Sequence, residues 1–197
     1  ILRVKFEMGL FDADPVKSAP AETVVRSPEH LALAREAAAK GVVVLKNEGV
    51  LPLAPAQWQG KKLYVSGYAA DDMGIQCGGW TISWQGSAGS ITKGTTILSG
   101  LKDTLAAANI MYTASAEFET ADPQGLCVVV AGELPYAEGK GDSAELKLPQ
   151  RELDAIAKAR KQFKKVVLVI VSGRPVILDK TALSCDAIVA AWLPGSE

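Results

Sequence analysis

Short, uninterrupted apolar runs alternate along this sequence with longer segments of helical periodicity. The apolar runs carry no polar alternation, which is typical of strands that are buried on both faces of a sheet. They predict strands at 42–45, 63–65, 126–131, 166–171 and 187–192, with a further short strand at 176–178. The periodic segments predict helices at 28–40, 95–109 and 150–163. This alternation favours an α/β fold with a mostly parallel sheet covered by helices on both faces, a three-layer αβα sandwich.

The composition argues against several classes of partner and site. The chain has 197 residues, enough for one domain, and its net charge of −1 gives no electrostatic reason to expect a nucleic acid partner. No apolar run approaches the roughly 20 residues of a membrane span, so no membrane partner is expected. The single histidine, His30, follows Ser27 and Pro28 and is expected in a first helical turn capped by Ser27. No two of the three cysteines have metal-ligand spacing, and no metal site is predicted.

Two long loops follow predicted strands. One runs over 67–94 and the other over 132–149. In open parallel sheets, ligands bind outside the carboxyl ends of the strands, and loops of this length inside a compact domain are usually functional. We therefore expect both loops to lie at one edge of the sheet and to form the site.

The first loop contains two tryptophans, Trp80 and Trp84, among glycines and polar residues. One interpretation is that both are core anchors. The other is that they are exposed, because an indole face suits the apolar face of a sugar ring and the indole N–H can bond a hydroxyl. The flanking glycines argue against a packed element, but composition alone leaves both interpretations open.

The second loop contains four carboxylates: Glu133, Glu138, Asp142 and Glu145. Such a loop is either a solvated turn or the carrier of one general acid/base. Glycines at 139 and 141 would let the backbone approach a ligand. Spacing alone does not choose among the four carboxylates.

A phosphate-binding loop is an alternative interpretation of residues 86–96, which precede a predicted helix. Gly89 and Gly94 have the glycine spacing of such a loop. However, Thr95 stands where the motif requires lysine, and Lys93 lies on the wrong side of the glycine. Nucleotide binding is therefore a weak alternative.

The chain resembles family 3 glycoside hydrolases, and in particular the β-D-glucan exohydrolases, over nearly its whole length. The most specific stretches of this resemblance are residues 76–86, 136–142, 172–175 and 190–197. The resemblance implies that a (β/α)8 barrel comes first in the parent protein and that this chain is the second, α/β domain. Residues 1–25, broken by Asp14-Pro15 and Ala19-Pro20, would be the interdomain linker, and 26–197 the sandwich domain, which in the family continues beyond Glu197.

The resemblance also implies an activity and assigns residues to it. The family cleaves non-reducing-end glucose from β-glucosides and β-glucans with retention, using no cofactor. The nucleophilic aspartate belongs to the barrel, and the matching motif assigns the general acid/base to Glu138. Trp80 would lie near the reacting sugar and Trp84 would form one wall of a clamp around the next sugar. Ser83 departs from the glutamate common in related exohydrolases, which affects the outer subsite.

Three further expectations follow from the resemblance. The isolated chain should be inactive, because only one of the two required carboxylates is present. The partners should be β-glucosides, β-glucan oligosaccharides and the barrel of the same parent chain, and the protein should be secreted or periplasmic. The alternative is a non-catalytic carbohydrate-binding or interdomain scaffold module.

Overall fold

The computed structural model describes residues 1–12, 14, 17 and 24–197, and these form two compact units, Ile1–Arg35 and Glu36–Glu197. In the first unit, helix α1 spans Leu2–Glu7 and buries none of its residues. Most of 13–23, including the expected breaks at Pro15 and at Ala19-Pro20, lies outside the described residues. The role of 1–25 as an interdomain linker therefore stays a prediction.

Helix α2 spans Pro28–Gly41. The hydroxyl of Ser27 accepts a 3.4 Å hydrogen bond from the amide of His30, so the predicted cap is confirmed. His30 itself is exposed in the first turn. The alanine-rich sequence explains why this segment is helical even though none of its residues is buried.

The second unit is built on one six-stranded sheet with the order β1-β6-β5-β4-β2-β3. Its strands are β1 (Val43–Asn47), β2 (Lys62–Ser66), β3 (Asn109–Thr113), β4 (Leu126–Gly132), β5 (Lys165–Val171) and β6 (Ala187–Trp192). Strands β2 to β6 are mutually parallel, and β1 runs antiparallel to β6 at one edge. The predicted, mostly parallel sheet is confirmed.

Helices cover both faces of this sheet. They are α3 (Met73–Cys77), α4 (Ile97–Thr104), α5 (Gln150–Gln162) and α6 (Lys180–Leu183). Alternate residues of β4 enter two separate cores: Cys127 and Val129 join the core with α5 and α6, whereas Val128 and Val130 join the core with α3 and α4. Because both faces of the strand are buried, its sequence is apolar throughout, and the three-layer sandwich is confirmed.

Two details of the predicted secondary structure are wrong. The helix predicted over 95–109 ends at Thr104, and Asn109 already begins β3. Alanines 106–108 favour helix by intrinsic propensity, but Asn109–Thr113 pairs in register with every residue of β2, and this tertiary pairing decides the conformation. The strand predicted at 176–178 is reduced to a single bridge between Lys147 and Ile177.

The parallel topology places the carboxyl ends of β2, β4, β5 and β6 at one edge of the sheet, called here the carboxyl edge. The loop over 67–94 leaves β2, and the loop over 132–149 leaves its direct neighbour β4. The prediction that both loops lie at the same edge is confirmed. No helix among the described residues is long and apolar enough to cross a membrane.

Candidate active site

The side chain of Gln85 joins the two long loops. Its Nε2 donates to the carbonyl of Ala137 at 3.1 Å, and its Oε1 accepts from the amide of Ala137 at 3.1 Å. The loops also touch through Gly79, where a Cβ would collide with the carbonyl oxygen of Tyr136. Only glycine permits this close approach of two backbones. Ala137 is the residue before Glu138, so the contact fixes the backbone on the N-terminal side of that carboxylate.

Both tryptophans of the first loop are exposed. The relative exposure is 69% for Trp80 and 50% for Trp84. The amide of Trp80 donates to the carbonyl of Trp84 at 3.0 Å, and the two ring centroids lie 6.3 Å apart with a 54° angle between the planes. The interpretation of these residues as core anchors is therefore wrong. They present two mutually inclined indole surfaces to solvent.

Four residues in these loops adopt left-handed backbone conformations without being glycine. The φ angles are 61° at Trp80, 63° at Ile82, 53° at Glu138 and 51° at Leu146. Such conformations are uncommon for non-glycine residues, and a β-branched residue such as Ile82 is a genuine outlier. Strained backbone of this kind clusters at functional sites, where the surrounding structure enforces it.

The buried side-chain amide of Gln76 anchors the part of the first loop that precedes Trp80 and Trp84. Gln76 is 2% exposed, and its Nε2 donates to the carbonyls of Thr95 at 3.0 Å and Gly195 at 2.7 Å. Its Oε1 accepts from the amide of Ile97 at 3.2 Å. The end of α3, just before the two tryptophans, is thus fixed to the segment after β6 and to the start of α4. These hydrogen bonds fix the backbone from which the exposed residues Trp80 and Trp84 extend.

The four carboxylates of the second loop have different surroundings. Glu133 is buried and paired with Arg174, and Glu145 is exposed and paired with Lys147 at 3.0 Å. Glu138 and Asp142 are exposed, and neither carboxylate forms a hydrogen bond or ion pair with any described residue. Glu138 opens the 3-10 turn Glu138–Gly141 directly after the residue that Gln85 fixes.

Glu133 lies in a compact polar cluster with Tyr136 and Arg174. The Arg174 Nε and Nη2 donate to its Oε1 at 3.0 and 2.6 Å, and the Tyr136 hydroxyl donates to its Oε2 at 3.1 Å. The hydrogen bond to Glu133 raises the pKa of Arg174 above its usual range. Burial, together with the charge of Glu133, raises the pKa of Tyr136. Both carboxylate oxygens of Glu133 are therefore hydrogen-bonded within the chain.

A further buried carboxylate, Glu152, lies at the same edge in the first turn of α5. Its side chain is fully buried, and its Oε2 accepts from the amide of Tyr68 at 3.4 Å. The Arg151 Nε lies 3.6 Å from its Oε1, and the Arg151 guanidinium carbon lies 4.7 Å from the centre of the Tyr68 ring. Burial raises the pKa of Glu152 to about 7.

The segment considered for phosphate binding is occupied by the chain itself. The amide of Thr95 donates to the carbonyl of Ser196 at 2.9 Å, and a Cβ at Gly94 would collide with that same carbonyl oxygen. The Thr96 hydroxyl accepts from the amide of Ser99 at 3.2 Å as a helix cap. These contacts take up backbone donors that a phosphate would need. In the described part of the chain, no group of three or more His, Cys, Asp or Glu could hold a metal ion.

The profile of the glycosyl hydrolase family 3 C-terminal domain matches residues 42–197. The chain belongs to glycosyl hydrolase family 3. The matched range contains all six strands and both long loops, so the family assignment covers the whole candidate site.

Similar proteins of this family are larger than this chain. It is 32% identical to the lysosomal beta glucosidase of Dictyostelium discoideum and 28% identical to the periplasmic beta-glucosidase of Salmonella typhimurium, in both cases over 100% of the chain. It matches the crystal structure of the exo-1,3/1,4-beta-glucanase of a Pseudoalteromonas species with a TM-score of 0.85 and 34% identity, over 100% of this chain and 25% of that one. The chain spans 26% and 30% of the lengths of the two glucosidases.

Sequence reasoning gave no individual role to two residues that organise this family 3 site, Gln85 and Arg174. Both lie in stretches that carry the resemblance, but their partners are far away in sequence. Gln85 bonds Ala137, 52 residues later, and Arg174 bonds Glu133, 41 residues earlier. The sequence offered one indication of the role of Arg174, its position. Arg174 follows the carboxyl end of β5, and Glu133 follows the end of the neighbouring strand β4.

Proposed function

We propose that this chain supplies the general acid/base, Glu138, of an exo-acting retaining β-glucosidase or β-glucan exohydrolase. The observation that carries the proposal is the pairing state of the loop carboxylates. Glu138 is exposed and its carboxylate has no hydrogen bond or ion pair among the described residues. The residue before it, Ala137, is held by Gln85. The carboxylate of Glu133, in contrast, is buried and bound to Arg174. A proton-transfer residue needs a fixed backbone and a carboxylate that is free to reach the substrate.

In this proposal the nucleophile lies on a barrel domain of the same parent protein. The chain covers only 25–30% of the length of the similar glucosidases and of the exo-glucanase, and retaining glycosidases use two carboxyl groups about 5–5.5 Å apart. Glu138 would protonate the leaving oxygen as the glycosyl-enzyme forms. It would then deprotonate the water that releases the sugar. The isolated chain would accordingly be inactive.

Trp80 and Trp84 are proposed to bind the sugar rings. Their exposed, inclined indoles offer apolar faces for stacking and N–H groups for hydroxyls. Trp80 would lie beside the reacting glucose, and Trp84 would form one wall of a clamp around the next sugar. The Lys140 Nζ lies 6.0 Å from the centre of the Trp84 ring, so this wall stands beside the turn that carries Glu138.

The names of the similar proteins support the substrate class and the compartment. They include a lysosomal and a periplasmic beta-glucosidase and an exo-1,3/1,4-beta-glucanase. We place the parent protein outside the cytosol, either secreted or periplasmic, with β-glucosides and β-glucan oligosaccharides as substrates.

The test is chemical rescue of Glu138→Gln in the complete protein that contains this chain. With a 2,4-dinitrophenyl β-glucoside the variant should form the glycosyl-enzyme and then stall, because the base that activates water is gone. Azide needs no base, so it should restore turnover and yield β-glucosyl azide. Turnover of cellobiose, whose leaving group needs protonation, should fall about 10²- to 10⁴-fold.

Asp142→Asn is the matched control, because Asp142 is the other exposed carboxylate of the loop that forms no hydrogen bond or ion pair among the described residues. It should retain near wild-type turnover and show no rescue by azide. Rescue of Asp142→Asn instead would move the acid/base to Asp142. If neither variant changes turnover, or if an aryl β-xyloside is cleaved and aryl β-glucosides are not, the proposed activity is wrong.

A further inference from the structure

A single guanidinium, that of Arg174, connects the two ends of the segment that carries Glu138. Its Nε and Nη2 hold Glu133, five residues before Glu138, and its Nη1 donates to the carbonyl oxygen of Gly141, three residues after it. Gly141 is the last residue of the 3-10 turn that Glu138 opens. The backbone around Glu138 is therefore held at Ala137 by Gln85 and at Gly141 by Arg174.

Tyr136 completes this arrangement by filling the space inside the segment. Its ring centre lies 4.5 Å from the guanidinium carbon of Arg174, and its hydroxyl donates to Glu133. A Cβ at Gly141 would collide with the Tyr136 ring, so the turn packs directly onto the ring. The guanidinium, the ring and the turn therefore form one packed unit, joined by the hydrogen bond from Arg174 to Gly141.

The unit rests on the central strands of the sheet. Arg174 follows β5 and Glu133 follows β4, two parallel strands that pair along their full lengths. The amide of Glu133 donates to the carbonyl of Val171 at 3.1 Å, and the Ser172 hydroxyl donates to the carbonyl of Arg174 at 2.8 Å. Both ends of the ion pair are thus fixed to the sheet, so its geometry is preorganised.

We propose that Arg174 is a positioning residue, whose guanidinium aims the carboxyl group of Glu138 at the leaving oxygen. This role rests on the proposed function of Glu138. It depends on the planar fork of arginine, which binds Glu133 and Gly141 at the same time. Lysine carries the same charge on one nitrogen, which cannot replace the three separate nitrogens that reach Glu133 and Gly141. Arg174→Lys should therefore keep attraction to Glu133 while releasing the turn.

The experiment measures kcat/KM, which reports formation of the glycosyl-enzyme, for two substrates in the complete protein. Cellobiose needs a proton on its leaving oxygen, and 2,4-dinitrophenyl β-glucoside does not. For Arg174→Lys, cellobiose should lose about 10- to 100-fold, as expected for a misplaced catalytic group, while the dinitrophenyl substrate stays near wild type. General loss of structure would lower both substrates equally.

Arg151→Lys is the matched control. Arg151 also lies over a tyrosine ring and near a buried glutamate, but these contacts, to Tyr68 and Glu152, lie outside the loop over 132–149. The variant should leave the ratio of the two kcat/KM values at the wild-type level. Hydrogen exchange of the amides at 138–142 should rise in Arg174→Lys and stay unchanged in Arg151→Lys.

A second variant covers the case in which Arg174→Lys fails to fold. The double variant Glu133→Leu with Arg174→Met removes both charges together and leaves neither unpaired in the interior. It also removes the donor to Gly141, so it should show the same selective loss on cellobiose. Equal losses on both substrates, or a ratio equal to that of Arg151→Lys, would overturn the role of Arg174. Absence of azide rescue in Glu138→Gln would instead overturn the proposed function itself.

Discussion

The loop over 132–149 contains two regions with opposite properties, its base and its tip. At the base, Glu133 is 8% exposed and its carboxylate accepts hydrogen bonds from Arg174 and Tyr136. At the tip, five residues later, Glu138 is exposed and its carboxylate has no partner among the described residues. The same type of side chain is therefore a fixed structural element in one place and an available chemical group in the other.

With Glu138 as the proposed acid/base, this difference assigns positioning to one region of the loop and chemistry to the other. An ion pair between buried groups is costly to break and holds its neighbours in one arrangement. A carboxylate that must give and take a proton has to stay free of such partners. In the proposed mechanism the base supplies the rigidity and the tip supplies the reactive group, and the hydrogen bonds of Arg174 and Gln85 connect the two.

The largest expected contrast is in stability. Glu133→Ala should lower the free energy of unfolding by about 3 kcal/mol, because Arg174 and Tyr136 lose their shared carboxylate; this is the low end of the range for a buried pair, since Arg174 is 23% exposed. Glu138→Ala should change it by less than about 0.5 kcal/mol, as for an exposed side chain without partners. Urea unfolding of both variants measures the contrast, with Glu145→Ala as the exposed control. Similar losses for Glu133→Ala and Glu138→Ala would remove the distinction between base and tip.

A third carboxylate, that of Glu152, extends the comparison to the pH dependence of stability. Glu152 is buried like Glu133, but its Oε1 has no hydrogen-bond partner among the described residues, and burial raises its pKa from 4.5 to about 7. The folded chain therefore binds this proton more tightly than the unfolded chain. The resulting stability is fully present below pH 4.5 and is lost as the pH rises through about 7. This difference between the folded and unfolded pKa of Glu152 corresponds to on the order of 3 kcal/mol of stability.

Glu152→Gln should remove this component, because glutamine does not ionise. Unfolding free energies of wild type and variant, measured between about pH 4.5 and 8, should converge at low pH and differ in slope above it. Glu145→Gln, at an exposed position of the loop, should keep the wild-type slope. An unchanged slope in Glu152→Gln would contradict a burial cost that outweighs the contacts of this carboxylate with Tyr68 and Arg151.

The smallest expected effect concerns Trp84, beside the tip. In the complete protein, Trp84→Ala should weaken kcat/KM for oligosaccharides by about 1 kcal/mol through the lost stacking on the outer sugar. Aryl glucosides lack that sugar and should be affected less. Trp58, a partly buried residue packed on the core, is the control, and Trp58→Ala should affect both substrate types alike. Equal losses in Trp84→Ala would make it a structural residue.

The sequence predicted the sheet well, because strands buried on both faces are apolar throughout and stand out from their surroundings. It missed β3, whose edge position leaves it half exposed and whose preceding alanines favour helix. It placed the four carboxylates in one functional loop, yet spacing could not separate them. Burial and pairing with Arg174 separate Glu133 from Glu138, and both depend on a contact 41 residues away in sequence.

The exposure of Trp80 and Trp84 does not follow from the sequence for a similar reason. A tryptophan between glycines fits either a core or a surface, and the outcome depends on what the folded chain places over it. The contacts that hold this loop, from Gln76 to Gly195 and from Gln85 to Ala137, join segments that are 119 and 52 residues apart. No local pattern encodes such contacts, so they emerge only from the fold.

The most direct test of Glu138 as the acid/base is a crystal structure of the complete protein trapped with a 2-deoxy-2-fluoro-glucoside. The covalently labelled residue identifies the nucleophile. We expect an aspartate of the barrel, with the carboxyl group of Glu138 about 5–5.5 Å from the carboxyl group of that aspartate. A structure with Asp142 in that place, or with Glu138 directed away from the labelled sugar, would contradict this expectation.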